Sequence, residues 1–418
     1  MTNIIRKALE CLECVRKPCQ SGCPLNNDIR GFIKLVKEEK YREAYQLLSE
    51  TTVIPSICGR VCPKSKQCEG KCVKGRIKDS NAVEIGKIEA FVGDMALKNN
   101  WTISSLPLKN KRVAVVGGGP SGLTCAAFLK RNGYNVTIYE RHNYLGGLLY
   151  HGIPEFRLDK TLLRKVVDKI LELGIDVKLN QSIGKDSSLE DLETEYDAVF
   201  LGFGANLSSK MNIPGEDLIG VYGGNELLES NNHPDYEGKT VIISGCGNVA
   251  MDVARTIKRK GASRVYVIYR RSEVEAPAEE KEIKEARNEG IEFLFQNNIL
   301  GIYGEKSVEK VEVIKTELVK KDDDDRLSPV NIKGTNYYLS CDYVVMAIGS
   351  HLESSVVNNL GLELDKRGRI LIDKDGHTSK EKVFAGGDLA GTTSTVAFAA
   401  RAGRDAAYAI MKYLENNV

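Results

Sequence analysis

The chain has 418 residues, too many for one ordinary domain and suited to two or three. Its 42% hydrophobic and 28% charged residues are ordinary for a globular protein, and a net charge of +2 leaves no basic footprint for nucleic acid or an anionic membrane. No apolar run approaches the roughly 18–20 residues of a membrane span, and the start MTNIIRKALECLEC lacks the apolar core and cleavage site of a signal peptide. A cytoplasmic chain, away from membranes, is expected.

In a reducing compartment, clustered cysteines are metal ligands more often than disulfides. Eight of the eleven cysteines lie before residue 73. Cys11, Cys14, Cys19 and Cys23-Pro24 form C-x2-C-x4-C-x3-C-P, and Cys58, Cys62, Cys68 and Cys72 fall in CGRVCPKSKQCEGKC. Thiolates this close together and followed by proline suit 4Fe–4S clusters, whose irons take soft sulfur. Structural zinc is the competing reading, but it more often uses C-x2-C knuckles or added histidine. None of the five histidines precedes residue 142. Counting alone gives two four-cysteine clusters without saying which thiolates share one. Cys125, Cys246 and Cys341 read as small buried hydrophobes.

Between the two groups, 28–48 has helical apolar periodicity. Residues 80–98 predict an amphipathic helix with Val83, Ile88, Phe91, Val92 and Met95 on one side. Glu89 within it reads first as a solvated carboxylate. Residues 99–110 read as a linker.

At 111–141 a strand (113–116) runs into Gly117-Gly118-Gly119-Pro120-Ser121-Gly122, then a helix (123–130) and a strand (136–139) ending on Glu140. This is the context in which G-x-G-x-x-G marks a dinucleotide site. Gly117 permits the turn, Gly119 the approach of a pyrophosphate, Gly122 close packing of helix on strand. Glu140, eighteen residues past Gly122, stands where an acid accepts from a ribose. Gly146, Gly147, Leu148 and Leu149 suggest backbone lying against an extended cofactor. A helix (162–173) and strands at 175–179 and 196–205 follow.

A second such unit starts with a strand at 239–244, then Gly245-Cys246-Gly247-Asn248-Val249-Ala250 and a helix at 251–260. Its next strand (264–269) ends in Arg270-Arg271 instead of an acid, which favours a ribose 2′-phosphate and so NADPH, with NADH open. Residues 291–342 predict hairpins. The run Lys320-Lys321-Asp322-Asp323-Asp324-Asp325 reads as a solvated tip, since no EF-hand glycine or glutamate follows. A strand at 342–349 echoes 196–205, and a last strand delivers Gly386-Gly387-Asp388 before a helix starting near Ser394. The first unit is thus interrupted by the second. That order suits hydride passing from nicotinamide to flavin, with flavin converting an electron pair into single electrons for the clusters.

The motifs CLECVRKPCQSGCP, CGRVCPKSKQCEGKC, VAVVGGGPSGL, GGLLYHGIPEFRL, GCGNVAMD, YRRSE and FAGGDLAGTTSTV together resemble the glutamate synthase small (β) subunit family. Its relatives include a bifurcating ferredoxin:NADP oxidoreductase large subunit and the N-terminal half of dihydropyrimidine dehydrogenase. The resemblance covers essentially the whole chain and implies an α/β fold: an N-terminal helical iron–sulfur domain (1–98), a linker (99–110), an FAD domain in two parts (111–235 and 350–418) and an inserted NAD(P)H domain (236–349). It implies FAD on Gly117, Gly119, Pro120, Ser121, Gly122, Glu140, Gly147, Leu148, Gly387, Asp388, Thr395 and Val396. It places NAD(P)H on Gly245, Gly247, Asn248, Val249, Ala250, Arg270 and Arg271. It further implies crossed ligation of two 4Fe–4S clusters, one by Cys11, Cys14, Cys19 and Cys72, the other by Cys23, Cys62, Cys68 and Glu89, leaving Cys58 outside. Cys246 and Ala276 depart from residues common in relatives and leave the nucleotide preference open. The implied activity is an electron-input flavoprotein that feeds a partner subunit or a ferredoxin-like acceptor. No catalytic side chain is expected, because the cofactors carry the chemistry. Readings as a bifurcating transhydrogenase subunit, a pyrimidine-reducing partner or a redox-sensing interaction module stay open.

Overall fold

The computed structural model describes residues 2–230, 232–320, 327–391 and 395–416. The chain forms two compact units. The first comprises Met1–Tyr150, Glu155–Ala205 and Leu352–Val418; the second comprises His151–Pro154 and Asn206–His351.

The N-terminal part of the first unit is helical. Asp28 caps the helix Ile29–Lys37 by accepting from the Gly31 amide at 3.2 Å. The single helix expected over 28–48 is broken, because Glu39 turns left-handed (φ 57°), and a second helix starts at Tyr41 and runs to Ser49. Both bury their apolar faces with Ile88 and Val92 of the helix Ile85–Lys98. That helix crosses Pro55–Val61 closely: a methyl on Gly59 would lie 2.4 Å from the Gly86 carbonyl. The segment 80–84 stays outside the helix.

The rest of the first unit is built on a five-stranded parallel sheet. In spatial order its strands are Val383–Ala385, Ala198–Leu201, Arg112–Val116, Asn135–Tyr139 and Asp176–Lys178. Val113, Ala114 and Val115 are fully buried, as the near-continuous apolar runs of a sheet covered on both faces require. The helix Pro120–Arg131 packs against the long helix Val396–Asn416. The two helices approach closely at Gly403, where a methyl would meet the Ser121 carbonyl at 1.9 Å. The last helix begins at Val396; Ser394 lies outside the described residues.

The second unit repeats the plan. Its parallel sheet orders Val221–Gly223, Tyr343–Met346, Thr240–Ser244, Arg264–Tyr269 and Glu292–Phe295. An antiparallel sheet follows: Asn297–Tyr303 pairs with Lys310–Val319, which also pairs with Ser328–Asn331 and Tyr337–Ser340. The unit begins at Asn206, earlier than the 236 of the sequence reading, for two reasons. Leu207–Ser208 pairs with Ser350–His351, and Val221 pairs with Val344. Glu292–Phe295 joins the parallel sheet and is no hairpin strand. Residues 321–325 of the acidic run lie outside the described residues. Among the described residues, no helix is long and apolar enough to cross a membrane.

Candidate cofactor and cluster sites

The two glycine loops have the same backbone. Gly117 (φ 101°) and Gly245 (φ 116°) both turn left-handed, and each donates its amide to the end of the neighbouring strand, at Tyr139 O (2.8 Å) and Ile268 O (2.9 Å). Gly119 (φ −79°, ψ −173°) and Gly247 (φ −93°, ψ −177°) then precede the helices Pro120–Arg131 and Asn248–Arg259, whose N-terminal dipole ends favour an anion. In the first loop, a methyl on Gly122 would sit 1.8 Å from the Gly117 carbonyl, and Gly147 lies so close that its methyl would come 2.9 Å from Gly119 Cα. In the second loop, a methyl on Gly247 would meet nothing within 4 Å.

Both loops carry buried polar atoms without protein partners: Ser121 Oγ and Asn248 Oδ1. Such atoms call for a ligand or water to satisfy them. With the space above Gly247, they fit the phosphates and riboses of bound dinucleotides. Glu140 is buried, and its oxygens accept from the Gly118 amide (2.7 Å) and the His142 amide (3.0 Å). A carboxylate has about four acceptor positions, so capacity remains for a ribose hydroxyl. Gly387 (φ 76°) opens a short turn, Gly387–Ala390, that holds Asp388 and lies against Ser121. Thr395 and Val396 stand at the start of the last helix, and Leu148 follows Gly147 in its own short turn.

In the second unit, Arg270 is exposed at the end of Arg264–Tyr269, whereas Arg271 is partly committed, its Nε donating to Leu327 O at 3.2 Å. Val249 and Ala250 open the helix after the loop, and Cys246 is buried beneath it.

The cysteines sort into two nests. Cys11, Cys14, Cys19 and Cys72 line one cavity floored by Ile29, Ile33 and Val83. Burial pushes the Cys19 thiol up to about 11, with the nearby charges of Cys11 and Cys72 adding to it. In the second nest, burial followed by the Glu89 charge pushes Cys23 up to about 12, and Cys62 contributes further. Cys68 is raised by burial and then by Glu89, Cys23 and Cys62. Glu89 is 7% exposed, which excludes the solvated reading. Desolvation drives its carboxyl up to about 8, against the opposing Lys64 charge and the hydrogen bond from Asn27. Clustered, partly to fully buried thiols beside a buried carboxyl form a donor set suited to a soft metal. Thiolates bind iron only once deprotonated, so these residues fit an iron–sulfur core.

Three residues here carried no sequence signal. Asn27 donates to Glu89 Oε1 (3.1 Å) and is itself held by Thr51 Oγ1 (2.6 Å). Gln67, next to Cys68, donates to Thr395 Oγ1 at 3.4 Å. Arg404 on the last helix donates to Leu25 O (2.7 Å) and Thr51 O (3.3 Å). Cys58 is wholly buried and shares a side-chain hydrogen bond with Cys62.

The profile of the pyridine nucleotide-disulphide oxidoreductase family matches residues 111–406, and that of dihydropyrimidine dehydrogenase domain II, 4Fe-4S cluster, matches residues 1–101. The small chain of NADPH glutamate synthase from Halomonas elongata is 37% identical over 98% of this chain and 90% of its own length. The Escherichia coli small chain is likewise 37% identical, over 98% and 91%. Among solved structures, FprA from Mycobacterium tuberculosis superposes with a TM-score of 0.65 over 74% of this chain and 85% of its own, at 22% identity, a likeness of fold. The chain therefore belongs to the pyridine nucleotide-disulphide oxidoreductase family and is an FAD- and NAD(P)H-dependent oxidoreductase with an N-terminal 4Fe–4S domain, akin to the glutamate synthase small chains.

Proposed function

We propose that this chain is the electron-input subunit of a larger enzyme of the glutamate synthase type, taking hydride from NADPH and delivering single electrons to a partner subunit. The observation that carries the reading is the presence of two sulfur-lined nests in the same compact unit as the first dinucleotide loop. Bound FAD supplies the conversion of an electron pair into single electrons, and two 4Fe–4S clusters supply their storage and transfer.

The protein's own part is to bind, orient and insulate. Gly117, Gly119, Pro120, Ser121 and Gly122 cradle the FAD pyrophosphate, Glu140 holds its adenosine ribose, and Gly147 and Leu148 lie along it. Gly387 and Asp388 secure the ribityl chain, with Thr395 and Val396 toward the ring. Gly245, Gly247, Asn248, Val249 and Ala250 hold the nicotinamide dinucleotide, and the exposed guanidinium of Arg270 is placed for a 2′-phosphate. Cys11, Cys14, Cys19 and Cys72 ligate one cluster; Cys23, Cys62, Cys68 and Glu89 ligate the other. Asn27 fixes the Glu89 carboxylate by hydrogen bonding, as second-sphere groups do around a metal. Gln67 and Arg404 tie the loops of the second nest to the last helix. No side-chain acid or base is required.

The test is steady-state reduction of an artificial one-electron acceptor by the reconstituted chain. Rapid NADPH-dependent turnover supports the reading. An inert, fully loaded protein would reject it in favour of a non-catalytic role.

A further inference from the structure

We infer that the surface around the Cys11–Cys14 loop is where electrons leave the chain, and that it docks an acidic one-electron redox protein or domain with an apolar centre to its contact face. The inference rests on the electron-input reading and names the partner's chemistry.

The two nests differ in what surrounds them. The second is tied to the last helix of the FAD-binding part through Gln67–Thr395 and Arg404–Leu25. The first opens outward. Its loop carries Leu12, 52% exposed and directly after Cys11, and Val15, 88% exposed and directly after Cys14. Leu9 (63%) and Ile77 (51%) extend the apolar surface on segments that flank the same cavity. Single exposed apolar residues are normal, whereas four on the short segments that line or flank one cavity, Leu12 in its wall, mark an interaction surface.

The rim is cationic. Glu10 and Glu13 are already neutralised by Lys74 (3.1 Å) and Lys37 (2.7 Å), and Asp28 by Lys17 (2.9 Å). Arg16, Lys34, Lys71 and Arg76 are exposed, and among the described residues they form no salt bridge. The chain as a whole is nearly neutral, at +2, so this excess is local. An apolar centre with a cationic rim complements a partner of opposite rim charge, which gains encounter rate and orientation from it. A carrier seated on Leu12 and Val15 comes within one residue of two first-nest cysteines. The balance is complete with such an acceptor: NADPH gives NADP⁺, one proton and two electrons, and each electron reduces one oxidised acceptor centre.

The experiment uses the loaded, oxidised protein and an oxidised acidic two-cluster ferredoxin as probe, with affinity read by isothermal titration calorimetry. Val15→Glu and Arg16→Glu are compared with the unaltered chain, and cluster EPR and NADPH-driven flavin bleaching serve as controls. Binding is expected to weaken about tenfold in each variant, and about tenfold between roughly 50 and 300 mM salt, with both controls unchanged. No binding by the unaltered chain, equal affinity in the variants, or equally tight binding of a basic cytochrome would overturn the inference. A flavin that NADPH does not bleach would instead reject the electron-input reading, because the calorimetry uses oxidised proteins and needs no turnover.

Discussion

Gly247→Ala separates binding from folding. The backbone at Gly247 is extended (φ −93°, ψ −177°), which alanine adopts freely, and the added methyl meets nothing within 4 Å. The unliganded fold should therefore keep its stability, or gain about 0.4–1 kcal/mol from a less flexible unfolded chain. The same methyl stands where the dinucleotide fingerprint brings a pyrophosphate against backbone. Losing one hydrogen bond to a charged phosphate costs about 1.5–3 kcal/mol, or a roughly 10- to 150-fold weaker NADP⁺ complex. The assay pairs equilibrium titration with NADP⁺ and thermal unfolding of the same sample. Unchanged affinity would refute the placement of the phosphates; a melting point lower by several degrees would refute the open space. Gly122→Ala is the contrasting control. Its methyl would lie 1.8 Å from the Gly117 carbonyl, a backbone atom that cannot move aside. That variant should lose both flavin and stability.

Glu89→Ala should lower the iron content from about eight to about four atoms per chain, whereas Cys58→Ala should retain about eight, as iron and sulfide analysis with EPR will show. Arg270→Ala should raise the NADPH dissociation constant roughly tenfold and leave NADH unchanged. Arg271→Ala should do less, since that side chain is already bonded to Leu327 O. Arg255 is buried and meets Glu282 (2.8 Å), Glu285 (2.9 Å) and Glu289 (2.8 Å). Removing it strands the buried Glu282 carboxylate, whereas Glu289 keeps Arg259 (2.7 Å) and Glu285 keeps Lys281 (3.4 Å), so Arg255→Ala should destabilise the second unit by about 3 kcal/mol, measured by denaturant unfolding.

The parallel sheets were legible because a strand buried on both faces leaves an unbroken apolar run, and Val113–Val116 and Val241–Ile243 are such runs. The glycine loops were legible because positive φ at Gly117 and Gly245 restricts which residues can stand there. What escaped notice depended on tertiary context. The break at Glu39 is a left-handed turn taken by a residue with no strong preference for it, within an apolar pattern that continues across it. The start of the second unit at Asn206 depends on Leu207–Ser208 pairing with Ser350–His351, a contact 142–144 residues apart that no local pattern encodes. Glu89 looked like a solvated carboxylate by periodicity, and only the resemblance to relatives singled it out. Its partner Asn27 stands 62 residues away, just before the helix Ile29–Lys37, so the hydrogen bond that holds it is a tertiary contact that no local pattern encodes.

The most direct test of the central claim is anaerobic titration of the loaded protein with NADPH and, separately, NADH, following flavin absorbance and cluster EPR together. The account predicts that NADPH bleaches the flavin and that reduced-cluster signals then appear, with NADH less effective. A fully loaded flavin that neither nucleotide bleaches, or clusters that stay oxidised once it is bleached, would contradict it.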